Sequence, residues 1–118
     1  MTTFFVGAAG VLGVLARYGI SRWAPDDQAQ LWATLAINVA GSFALGLLAA
    51  GEWFSRDVRD AVGIGFLGGF TTFSTFSLQA VLEADAGRPE RAALYVGISV
   101  VGGIAAAAAG YALGRAVR

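Results

Sequence analysis

AVGIGFLGGFTTFSTFSLQAVL, residues Ala61–Leu82, carries no Asp, Glu, Lys or Arg. A helix needs roughly 20 apolar residues to cross about 30 Å of hydrocarbon, and this stretch is long enough to do so. Three further runs match it on either side: Thr3–Ser21, Leu31–Gly51 and Ala92–Gly114. Arg17 alone interrupts one of them, near that run's end. The period-2 alternation of a β-barrel is missing, and an isolated strand would leave backbone groups unpaired in lipid. The sequence therefore predicts an all-α membrane protein with one domain, residues 1–118, of four spans at about 3–21, 31–51, 61–82 and 92–114. The first run lacks a basic residue before its apolar part, so it reads as a retained helix and not as a signal peptide.

The rest of the composition agrees. Of 118 residues 57% are hydrophobic and 14% charged, well below the quarter or so that soluble domains carry. Without cysteine or histidine, disulfides, thiolate chemistry and imidazole acid–base or metal sites are excluded. No nucleophile–base pair and no phosphate-binding loop can be assembled, which argues against an enzyme. Net charge is zero and the basic residues are dispersed, which argues against nucleic-acid binding.

Four spans put both termini on the side of the loop between spans two and three. That side holds Arg56, Arg59, Arg115 and Arg118; the other holds Arg17, Arg22, Arg88 and Arg91. Equal numbers leave the positive-inside rule without a preference. Either another feature fixes the orientation, or the chain inserts both ways and pairs with an inverted copy, as inverted repeats do within transporters. Four helices barely enclose a pathway, which favours the pair. Gly7, Gly10 and Gly13, the Gly65/Gly69 pair and the Gly110/Gly114 pair suit close helix packing.

Polar groups at membrane depth are costly and therefore informative. No span has a central charge; Glu52 and Glu83 fall at span ends and read as solvated. What remains is neutral: Asn38 in span two, and Thr71-Thr72-Phe73-Ser74-Thr75-Phe76-Ser77 in span three. In the latter, threonines following Gly68-Gly69 make a poor helix and predict a mid-membrane break. Phe73 and Phe76 share a helix face. Such a pair ordinarily packs, but the positive edge of an aromatic ring can also meet an anion. Tyr95 and Ser99 share a face of span four.

At these residues the chain resembles the fluoride channel family known as Fluc or CrcB. The resemblance is carried by Gly10-Val11-Leu12-Gly13 with Ala16-Arg17-Tyr18, by Asn38-x-x-Gly41-Ser42-Phe43-x-Leu45-Gly46, and most specifically by Gly65 to Ser77. It implies passive export of fluoride through two pores in an antiparallel, dual-topology homodimer in the bacterial inner membrane. It also implies pore roles for Asn38, Phe73, Phe76, Ser74, Thr75, Tyr95 and Ser99. Thr34 would line the vestibule and Arg17 a pore mouth. A structural Na+ would be held at the dimer centre by the backbone carbonyls of Gly68 and Thr71. The chain departs from the family at Gln79, where an acidic residue is frequent, and at Gly103 and Ala107, where hydroxyls can follow Ser99. Proton-coupled export of organic cations is the competing reading, and it requires an acid at membrane depth. A non-transporting scaffold would leave the polar break without a purpose.

Overall fold

A computed structural model describes residues 1–118. Helix α1 (Thr2–Arg22) ends before Pro25, and α2 (Asp27–Ala50) is capped by Asp26, whose carboxylate accepts from Ala29 N at 2.8 Å. Gln30 ties the turn together by donating to Ser21 O (2.8 Å) and Ala24 O (3.3 Å). The third span, Arg56–Asp85, is composite. It contains α3 (Arg56–Asp60), a π-helical stretch (Ala61–Leu67), a single turn α4 (Gly68–Phe70) and α5 (Phe73–Asp85). Gly87, with φ of 84°, makes the turn into α6 (Pro89–Val117), where Pro89 occupies the first turn. All four spans are long and apolar enough to cross a membrane, and the break in the third agrees with the sequence reading.

Glycine decides how the helices pair. A Cβ on Gly13 would collide with Phe66 O, one on Gly65 with the Val6 carbonyl, and one on Gly69 with the Gly10 carbonyl. These contacts join α1 to the first half of the third span. On the other side, Gly46 lies against Ala107 O and Gly110 against Phe43 O, which joins α2 to α6. Lipid tails are as apolar as leucine side chains, so such backbone approach, and not hydrophobic exclusion, is what holds the helices together.

The molecule measures 48 × 30 × 19 Å. Its length exceeds the hydrocarbon thickness of about 30 Å, and its depth is about two helix layers at 8–10 Å between axes. Only 17 of 118 residues are buried, so most apolar faces, including Leu12, Val101 and Ile104, are left for lipid or for another protein surface.

One expectation is corrected here. Glu83 is not solvated but 4% exposed. Arg88 grips its carboxylate at 2.7 and 3.2 Å, and Arg91 lies at 3.9 Å. The tight turn at Gly87 folds the start of α6 back over the end of α5, which brings the arginines onto the carboxylate.

Candidate functional site

The break starts where Thr71 and Thr72 both leave helical geometry for extended backbone (ψ of 157° and 123°). Thr71 still closes the preceding turn, since its N–H and its hydroxyl both donate to Leu67 O, at 3.0 and 2.9 Å. Thr72 opens the next one by accepting from Thr75 N at 3.2 Å, as an N-cap residue does. The N–H and C=O of Thr72 then have no helical partner, and buried backbone groups require one. Asn38 supplies both. Its Oδ1 accepts from Thr72 N at 2.8 Å and its Nδ2 donates to Thr72 O at 2.9 Å. The amide thus mimics a paired strand residue, and one Nδ2 hydrogen stays uncommitted. From α1, Arg17 Nε donates to Gly69 O at 3.2 Å. The break is held from both sides.

Beside it opens a cleft of about 480 Å³. Asn38, Gly41 and Ser42 of α2 line it, together with Gly68, Thr71, Thr72, Phe73 and Phe76 of the third span and Ser99, Gly103 and Ala107 of α6. No charged side chain is among its lining residues. Ser99 Oγ is buried without a partner. Gly103 leaves room for Ser42, whose Oγ would stand 3.7 Å from a Cβ there. Phe76 is 9% exposed and Phe73 80% exposed, with ring centroids 5.8 Å apart. Such a site offers amide and hydroxyl donors beside aromatic rings, so it can hold a small anion without a fixed charge. It lacks the acid and base that bond-breaking chemistry requires.

Of the residues expected in a pathway, Asn38, Phe73, Phe76 and Ser99 meet at this cleft, together with Gly68 and Thr71. Ser74, Thr75, Thr34, Tyr95 and Arg17 do not line it. Ser74 is exposed and Thr75 half-buried. Thr34 is 3% exposed, inside the bundle. Tyr95, 6% exposed, packs on Phe76 at 5.3 Å and lines a second cavity of about 210 Å³ with Gln28, Trp32 and Arg91. Sequence reasoning passed over Ser42, although Asn38, Gly41 and Ser42 follow i, i+3, i+4 spacing and so share one helical face.

The expected sodium ion is overturned. No group of three or more His, Cys, Asp or Glu comes together to hold a metal. The physical reason lies in where the acids fall. Asp26, Asp27, Glu52, Asp57, Asp60, Glu83, Asp85 and Glu90 all sit at helix ends or turns, so Gly68 and Thr71 have no carboxylate near them to complete a cation shell.

A family model described as CrcB-like protein, Camphor Resistance (CrcB), matches residues 4–111. The chain is 43% identical to the fluoride-specific ion channel FluC of Erythrobacter litoralis, with 96% of this chain and 91% of the relative aligned. It is 41% identical to FluC of Stutzerimonas stutzeri, with 95% of each chain covered. With FluC 2 of Moorella thermoacetica it shares 39% identity over 88% of each.

Proposed function

The chain belongs to the CrcB-like family, and from that premise we propose that it is a fluoride-selective channel of the bacterial inner membrane, not an enzyme, which lets fluoride leave the cytoplasm down its electrochemical gradient. The observation that carries this reading is the uncharged cleft at the helix break, where Asn38, Ser99, Phe73 and Phe76 converge. Fluoride is small and strongly hydrated, so its water must be replaced by donors. Neutral donors bind it without trapping it, as conduction requires. Ser74, Thr75, Thr34 and Tyr95 continue the pathway beyond the cleft in this reading, and Arg17 attracts the anion toward it.

The pore belongs to an antiparallel homodimer. A slab 19 Å deep has too little width to surround a pathway of its own. Phe73, 80% exposed, stands at the cleft where a second copy would cover it. Arginines balanced four against four allow both insertions. Export of organic cations is disfavoured, because the buried carboxylate, Glu83, is already neutralised by Arg88.

The deciding experiment is passive efflux from liposomes holding the purified protein, loaded first with fluoride and then with chloride. Rapid fluoride efflux with chloride retained is expected; retention of both ions by a folded dimer would sink the reading. In the same assay Phe76→Ile is expected to slow fluoride efflux about tenfold, since removing an aromatic edge and its packing on Tyr95 costs about 1 kcal/mol or more. An unchanged rate would take Phe76 out of the pathway.

A further inference from the structure

The smaller cavity, about 210 Å³, is formed by α2 and α6 alone, without the third span that helps to build the cleft. Its polarity changes along the helices. Gln28 and Arg91 stand in the first turns of α2 and α6 and so mark its end at the membrane surface. Deeper, the walls are alkyl: Leu31 and Leu35 of α2 with Leu94 and Ile98 of α6, each pair about one turn apart. Trp32, 55% exposed, lies between these levels, near the interface where indole rings gather in membrane proteins. Arg91 is the one charged residue lining this groove; Asp27 and Glu90, in the same first turns, do not line it. The charge of Arg91 is also unspent. Glu83 is gripped by Arg88, whereas Arg91 lies 3.9 Å from it, beyond hydrogen-bond reach, and its side chain donates to nothing in the chain. One carboxylate between two guanidinium groups leaves a positive charge over, on a side chain 44% exposed.

We propose that this groove binds an anionic phospholipid, its phosphate on Arg91 and one acyl chain between α2 and α6. The two match in order as well as in charge, for both are charged at the membrane surface and apolar below it. A guanidinium presents paired N–H donors that fit two phosphate oxygens. The positive end of the α6 dipole lies at the same level, and no side chain caps it. A zwitterionic headgroup carries an ammonium of its own, which Arg91 repels, so the anionic lipid is preferred. A second copy of this chain would cover the alkyl walls equally well but would leave Arg91 without a counter-charge. The assignment is independent of what the cleft conducts.

The test reads the fluorescence of Trp32 in the full chain, with Trp23→Phe and Trp53→Phe removing the other two indoles, both of them exposed. The protein is placed in phosphatidylcholine vesicles with a minor fraction of either phosphatidylglycerol or phosphatidylcholine brominated on its acyl chains, since bromine quenches an indole it touches. Brominated phosphatidylglycerol is expected to reach Trp32 with about fivefold higher apparent affinity, the weight of one arginine beside an anionic lipid. Arg91→Gln is expected to abolish the preference and Arg91→Lys to keep most of it. Arg91→Gln breaks no hydrogen bond of the chain, and the comparison of the two lipids on otherwise unaltered protein needs no change at Arg91. Equal quenching by both lipids, or a preference that survives Arg91→Gln, would overturn the assignment. Quenching by neither would give the groove to a second copy of the chain and overturn it as well. Fluoride efflux enters none of these outcomes, so the channel reading stands or falls separately.

Discussion

Replacing Asn38 is expected to cut fluoride efflux by about a hundredfold or more, because the residue both holds the break and faces the cleft. In Asn38→Leu the N–H and C=O of Thr72 lose their partners together. Each unsatisfied buried group costs about 1–3 kcal/mol, so the pair costs about 2–6 kcal/mol unless the backbone rearranges. Rearrangement would pull Thr72 away from extended geometry and change the shape of the cleft wall at Phe73. Asn38→Asp separates the two roles. Aspartate still accepts from Thr72 N, but its second oxygen faces the Thr72 carbonyl where a donor stood, and its charge repels an anion. The aspartate variant is therefore expected to elute from size exclusion as the wild type does and yet to lose efflux. Undiminished efflux from Asn38→Asp would remove the cleft from the proposed pathway.

The second large effect is expected on stability. Gly46 and Gly110 place the backbones of α2 and α6 in contact, and a Cβ at either position meets a carbonyl oxygen of the facing helix. A backbone carbonyl cannot move aside as a flexible side chain does. Gly110→Leu must push the helices apart, at a cost of about 3 kcal/mol or more, the upper end for overpacking. At several degrees per kcal/mol, that corresponds to a fall of about 10 °C or more in the melting temperature. The same separation would pull Ser99 and Gly103 away from Ser42, so efflux should fall with stability. Gly97→Leu is the control. Nothing lies within 4 Å of a Cβ at Gly97, and a leucine there would point outward, so it is expected to melt within a few degrees of the wild type. Equal melting of Gly110→Leu and Gly97→Leu would show that glycine packing does not hold α2 to α6.

Much of this protein could be read along the chain. The four spans follow from apolar runs of membrane length, and the break follows from threonines placed after a glycine pair. Asn38 stood out because an amide at membrane depth needs a reason. Other features could not be read in this way. Glu83 looked solvated because a span end usually is; only the fold of the Gly87 turn brings Arg88 onto it. Ser74 and Ser42 are equally polar in sequence, yet one is exposed and the other lines the cleft. Phe73 and Phe76 share a helix face, and one is open while the other is buried. The sodium, with the Gly68 and Thr71 carbonyls as its ligands, was inferred from likeness to a family, and no group of acidic side chains comes together in the fold to hold a metal.

The sequence by itself determined that the chain is a bundle of four membrane helices, broken in the third span. Length, hydropathy and local propensity are properties of the chain alone, and the bilayer rewards them directly. The tertiary structure decided which polar atoms meet: Asn38 with Thr72, Arg17 with Gly69, Tyr95 with Gln79. In water an apolar stripe tells which face of a helix turns inward. In lipid every apolar face is at home, so the inward face is chosen by backbone fit at glycine and by the few hydrogen bonds that close, and both exist only once the helices are in contact.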